Sequence, residues 1–199
     1  MDTFASGSDQ WTHTQVAELL ISHTALTELS LDDARKIAQR MHSVSIKKGL
    51  VLVQEGTSAN NYMLLILRGE GVVENESLKK SDSLILCVVG AGHIIGEMGL
   101  LDDEPRSATC TAFTDMDVAV LDRTALTQLI AQEPALGCKF LAALLQRTSS
   151  RLRITNKKLR ALTQINRTLE HEISAFNPAR AAPIATPKAA IETDNPLMF

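Results

Sequence analysis

Apolar residues recur along this chain with two different periods, and the change of period divides it. Between Thr14 and Ile21, Val16, Leu19 and Leu20 fall at helical spacing. Ser30 with Asp33 three residues on, followed by Ala34, Ile37, Ala38 and Met41, predicts a second helix. From Val44 to Leu121 the pattern changes to short β-rich runs: Leu50–Gln54, Tyr62–Leu67, Val72–Glu74, Leu84–Val89, Thr109–Ala112 and Val118–Leu121. Lys48-Gly49, Glu55-Gly56, Arg68-Gly69-Glu70-Gly71, Gly90-Ala91-Gly92 and Thr114-Asp115 punctuate these runs as turns. Strands at this spacing predict an antiparallel sandwich or barrel, not alternating strand and helix units. After Asp122 the helical period returns. Ala125, Leu126, Leu129 and Ile130 make a short amphipathic helix, Glu133-Pro134 breaks it, and Ala135 opens a second helix of up to about 40 residues.

That last helix carries a heptad seam. Leu145, Thr148, Leu152, Thr155, Leu159, Leu162, Asn166, Leu169 and Ile173 alternate by three and four residues, while Arg147, Arg151, Arg153, Lys157, Lys158, Arg160 and Arg167 lie outside the seam. The pattern predicts a parallel two-stranded coiled coil, with Asn166 setting the register. The first turns, through about Leu145, are expected to pack on the chain's own sheet instead. Beyond Ile173, 26 residues hold four prolines, several alanines and few large apolar side chains, which predicts a disordered tail.

Charge sharpens this division. Residues 1–134 carry 10 Lys/Arg against 19 Asp/Glu, while residues 135–199 carry 10 against 4, within a net charge of −3. A basic end can mark an acidic or nucleic-acid partner, although a solvated helix face gives the same pattern. The 199 residues suit one domain with helical extensions. Cys87, Cys110 and Cys138 form no C-x-x-C pair, so neither a disulfide framework nor a zinc site is expected. His13, His23 and His42 lack metal-ligand spacing. Met1–Trp11 has no signal-peptide order, and no apolar run approaches the roughly 18 residues of a membrane span. A reducing cytoplasm is the expected compartment, with no membrane partner.

The chemistry concentrates between Ile94 and Thr109. Gly96 lets the backbone approach a ligand closely, and Met98, Gly99, Leu100 and Leu101 can form one helical turn. Glu97 can accept hydroxyl protons, and Arg106 supplies a guanidinium fork suited to two phosphate oxygens, with the Ser107 hydroxyl beside it. Taken alone, Glu97 and Arg106 also fit an ordinary surface ion pair. Gly90, Gly92 and Gly96 superficially suggest a dinucleotide loop. Their G-x-G-x-x-x-G spacing is one residue too long, however, and Pro105 interrupts the stretch where the packing helix would run. No Ser/His/Asp or Cys/His set has persuasive spacing, so catalysis is not indicated.

The run Gly96, Glu97, Met98, Gly99, Leu100, then Arg106, Ser107, Ala108 and Thr109, resembles the phosphate-binding cassette of cyclic-nucleotide-binding domains, such as those of catabolite activator proteins and cAMP-dependent kinase regulatory subunits. Leu29–Ala34 is similar to the family's leader helix, and Gly56 and Gly69, with Tyr62 between them, to its turn glycines. The resemblance covers about residues 28–165. It implies an α+β fold: an antiparallel β-roll, a double-stranded jelly-roll-like barrel, flanked by N-terminal helices and a long C-terminal dimerisation helix. The expected division is a leader at 1–43, the β-roll at 44–122, C-terminal helices with the dimer helix at 123–174 and a tail at 175–199.

The resemblance also implies the ligand. Gly96, Glu97, Met98, Gly99, Leu100, Arg106, Ser107 and Ala108 would hold the sugar and cyclic phosphate. Arg151, Thr155 and Asn156, in Arg151–Lys158, resemble the positions of the dimer helix that cover the adenine of cAMP. Asn156 departs from the family's usual Ser. Arg106 followed by Ser107, where guanine-preferring domains often carry Thr, places cAMP ahead of cGMP. No helix-turn-helix segment of roughly 60–80 residues follows, so sequence-specific DNA binding is not expected. The implied protein is a stand-alone, dimeric bacterial sensor of a cyclic nucleotide, without a metal, acting through an unidentified protein effector. A ligand-independent dimeric scaffold, or a sensor of cGMP or a cyclic dinucleotide, is the alternative.

Overall fold

The structure, a computed structural model, describes residues 5–6, 11–58, 61–75, 84–102 and 104–176. The chain forms two compact units, Met1–Ser150 and Arg151–Phe199. In the first, two short helices lead into the sheets. Helix α1 (His13–Leu20) starts at a capping box formed by Thr12 and Gln15 and buries Val16, Ala17 and Leu20. Helix α2 (Leu31–Ala38) is capped by Ser30, whose hydroxyl accepts from the Asp33 amide at 3.1 Å. Asp32 and Asp33 occupy its first turn, where carboxylates meet the positive end of the helix.

Among the described residues the strands form two antiparallel sheets. One has the order β1 (Ala5–Ser6), β2 (His42–Ile46), β9 (Met116–Asp122), β4 (Tyr62–Arg68), β7 (Ile94–Ile95). The other runs β3 (Val51–Val53), β8 (Thr109–Ala112), β5 (Gly71–Asn75), β6 (Leu84–Val89). The five-stranded sheet is covered on both faces. Met63, Leu65 and Leu67 of β4 and Ala119 and Leu121 of β9 enter a core shared with the helices. Their alternate neighbours Leu64, Ile66, Val118 and Val120 enter the core between the two sheets. This double burial explains why Tyr62–Leu67 reads as an unbroken apolar run and not as an alternation.

The expected α+β β-roll is therefore the observed fold. Strands β1, β2 and β7 are additions to the runs marked by the sequence pattern. The first and last are two residues long, and β2 interleaves Val44 and Ile46 with His42, Ser43 and Ser45.

Helix α4 (Arg123–Gln132) is capped by Asp122, and α5 (Pro134–Phe176) begins with the proline itself, a residue preorganised for the first helical position. Within the first unit α5 buries Leu136, Phe140, Ala143 and Leu144 in the core shared by the helices and the five-stranded sheet. Ion pairs fasten α2 to the α4–α5 junction: Lys36 to Glu133 at 2.6 Å and Lys139 to Asp33 at 2.8 Å. In the second unit α5 continues as a helix whose Leu152, Leu159, Leu162, Leu169 and Ile173 are exposed. No described helix is long and apolar enough to cross a membrane. The tail expected to be disordered lies, from residue 177 onward, outside the described residues.

Candidate functional site

The segment from Ile94 to Thr109 is held at both ends by the sheets. Strand β7 pairs with β4 through Leu64↔Ile95 and Leu65↔Ile94, and β8 receives the chain at Thr109. Between them, Gly96 takes a left-handed conformation at φ 76° and opens the five-residue helix α3 (Glu97–Leu101). A side chain at Gly96 would be strained in that conformation and would meet Arg106 Nη1 at 2.8 Å and the Tyr62 carbonyl at 3.1 Å. Leu100 anchors α3 in the helix-side core, while Met98 and Leu101 face outward.

Arg106 is 6% exposed, with its guanidinium folded beneath α3. Nη1 donates to the Gly96 carbonyl at 2.6 Å, and Nη2 donates to the Tyr62 carbonyl at 2.7 Å. The guanidinium also stands 5.1 Å from the centre of the Tyr62 ring, within reach of a cation–π contact. Its backbone is fixed as well: Arg106 N donates to Thr57 O, and Gly56 N donates to Arg106 O. Burial pulls the guanidinium below its ordinary pKa, opposed by the neighbouring Tyr62, Glu97 and Asp102. Burial pushes the Tyr62 hydroxyl above its ordinary value, and the nearby Arg106 cation acts against that shift. Glu97, at the first position of α3, is 2% exposed.

The structure thus gathers Gly96, Glu97, Gly99, Leu100 and Arg106 into one buried turn. Met98 and Ser107 lie at its surface, and Ala108 is half-buried. The Ser107 carbonyl accepts from Asn75 Nδ2 at 3.2 Å, and the same amide nitrogen donates to Glu55 Oε1 at 3.1 Å. Thr109 Oγ1 accepts from the Glu55 amide at 3.0 Å. Arg151, Thr155 and Asn156 belong to the second unit and are exposed on its helix.

Two participants lie outside the site residues that the sequence marks. Tyr62 contributes its ring and its carbonyl, and its hydroxyl donates to the Leu52 carbonyl at 2.6 Å. Arg123 donates through Nε to the Leu100 carbonyl at 3.1 Å and through Nη2 to the Asp102 carbonyl at 2.5 Å. Both act on backbone carbonyls, which no residue pattern advertises. The competing glycine run ends in β7 and the short α3, with no dinucleotide-type packing helix after it. Among the described residues, no group of three or more His, Cys, Asp or Glu could hold a metal ion.

The family model for the cyclic nucleotide-binding domain matches residues 43–133. A crystal structure of a cyclic nucleotide-binding domain from Methylobacillus flagellatus is similar at a TM-score of 0.67 and 34% identity, covering 78% of this chain and 85% of that one. The cAMP-dependent protein kinase regulatory subunit of Yarrowia lipolytica is 31% identical over 105 residues, 53% of this chain and 27% of that protein. The CRP-like cAMP-activated global transcriptional regulator of Mycobacterium tuberculosis is 25% identical over 123 residues, 62% of this chain and 52% of that protein. The chain thus spans about a quarter to a half of the length of these curated relatives.

Proposed function

The chain belongs to the cyclic nucleotide-binding domain family, and from that premise we propose that it is a dimeric regulatory protein that senses cAMP. The observation that carries this reading is the burial of both Glu97 and Arg106 at one turn, with the Arg106 guanidinium lying against Gly96 and Gly99. The cyclic phosphate docks on the Arg106 guanidinium, the Ser107 hydroxyl and the amides of Met98–Leu101, while Glu97 accepts from the ribose 2′-hydroxyl. The base meets Arg151, Thr155 and Asn156 on the long helix. The cAMP-related names of the kinase regulatory subunit and of the mycobacterial regulator support cAMP over cGMP.

Regulation requires only that the nucleotide bind one position of α5 better than another, so that ligand binding exposes or hides a surface for a protein effector. One observation favours a second reading, a ligand-independent scaffold of the same fold. The bonds from Arg106 to the Gly96 and Tyr62 carbonyls close the turn upon the chain itself.

Calorimetric titration with cAMP and cGMP separates the two. Binding in the micromolar range or tighter, weakened by at least about 1.5–3 kcal/mol in Arg106→Ala, is the expected result for a charge-assisted contact. Unchanged binding in that variant sinks the assignment of Arg106. Absence of heat with either nucleotide moves the assignment to a cyclic dinucleotide or to the scaffold.

A further inference from the structure

Three arginines from three parts of the fold donate to carbonyls of the segment 94–102. Arg147 of α5 reaches the Ile94 carbonyl at 3.4 Å and those of Thr24 and Ala25. Arg106 holds Gly96, and Arg123 holds Leu100 and Asp102. The segment needs such grips. A five-residue helix is too short to be stable by itself, and glycine at its third position weakens it further.

The three grips differ in what a ligand would do to them. A phosphate bound at Arg106 competes with the Gly96 and Tyr62 carbonyls for the same guanidinium. Arg123 lies at the opposite end of the turn, on the Leu100 and Asp102 carbonyls, a different pair from the Gly96 and Tyr62 carbonyls that the Arg106 guanidinium holds. Its own backbone is fixed, since Arg123 N donates to the Asn61 carbonyl at 2.9 Å and Asp122 is the strand partner of Tyr62. A cation at the carbonyl end of a helix is also the favourable sign.

We propose that Arg123 is a positioning residue for nucleotide binding: it anchors the carbonyl end of α3 so that Glu97 and the 98–101 amides stay aligned while Arg106 engages the phosphate. This role rests on the cyclic-nucleotide reading above.

The test uses the full chain, Arg123→Met and Arg123→Lys, titrated with cAMP and cGMP, with amide hydrogen exchange followed in the nucleotide-free proteins. Arg123→Met is expected to bind about tenfold more weakly, with amides 98–102 exchanging faster while β4 and β9 stay protected. Arg123→Lys, whose single ammonium can still reach one carbonyl, is expected to recover part of both effects. Wild-type affinity in Arg123→Met overturns the proposal. So does a loss of affinity accompanied by faster exchange throughout β4 and β9, which marks a general loosening of the fold. If the unsubstituted chain binds neither nucleotide, the functional reading fails and this role falls with it. If the unsubstituted chain binds and Arg123→Met matches it, the role of Arg123 fails alone.

Discussion

The Arg106 guanidinium lies against the α-carbon of Gly99 so closely that a methyl group there would stand 2.5 Å from Nη1 and 2.7 Å from Cζ. The guanidinium cannot simply move aside, because it is buried and bonded to two carbonyls on either side. Gly99→Ala is therefore expected to lower stability by about 1–3 kcal/mol, the usual cost of overpacking, and to weaken nucleotide binding through Arg106. Urea denaturation with a parallel cAMP titration checks both. A variant as stable as the parent would mean that Arg106 has room to relocate.

Tyr62 contributes through two separable parts. Its hydroxyl bonds the Leu52 carbonyl, while its ring and its own carbonyl face Arg106. Tyr62→Phe keeps the second set, so it should cost roughly 0.5–1.5 kcal/mol of stability and leave nucleotide affinity near the parent value. Tyr62→Leu removes the ring, and its affinity should fall below that of Tyr62→Phe. Equal affinities for the two variants would exclude a contribution from the aromatic face.

The ion pairs between α2 and the α4–α5 junction predict a pH and salt dependence. The Lys139 hydrogen bond, then that of Ser30, holds Asp33 below its ordinary 3.8, and Lys36 holds Glu133 below 4.5. A lowered carboxylate stabilises the fold above its unfolded pKa and loses that contribution as pH falls through the folded value. The loss therefore begins near 4.5 for Glu133 and 3.8 for Asp33. Lys36, raised above 10.5 by Glu133, has the opposite sense: its contribution is present below that value and disappears at higher pH. Asp33 and Glu133 are half-buried and their lysine partners are exposed, so the effect is small and screened by salt. In thermal unfolding, Glu133→Gln should flatten the decline in midpoint between about pH 5 and 3, and about 0.5 M NaCl should do the same to the parent. A decline of the same slope in parent and variant would locate the acid sensitivity elsewhere.

Much of the fold was legible because its signals are local. Ser30 and Asp33 announce a capped helix, and the apolar run Tyr62–Leu67 announces a buried strand, although only the structure explains why both of its faces are apolar. Strand β7 was not legible, since Ile94 and Ile95 sit inside a glycine-rich loop and gain their strand character only by pairing with Leu64 and Leu65. The candidate site divides in the same way. Gly96, Glu97, Gly99 and Arg106 lie within eleven residues, so their order carries the resemblance. Arg123 and the Tyr62 carbonyl are joined to that turn by backbone bonds across 21 to 44 residues, which leave no pattern along the chain.

The proposed dimer makes a final prediction from the helix of the second unit. Leu152, Leu159, Leu162, Leu169 and Ile173 are each about half or more exposed within one chain, an arrangement that a partner helix would bury. Asn166 and Thr155 on the same seam reduce its hydrophobicity, so the expected assembly is a moderate dimer and not a larger bundle. A parallel pairing in this register sets Arg151 beside Asn156 of the second helix and Lys158 beside Thr163, which avoids contact between like charges. Sedimentation equilibrium should therefore give a dimer at micromolar concentrations, a monomer for Leu159→Asp, and a tighter but less uniform assembly for Asn166→Leu. A monomeric parent protein across that range would remove the dimer from the mechanism and leave the exposed leucines to a different partner.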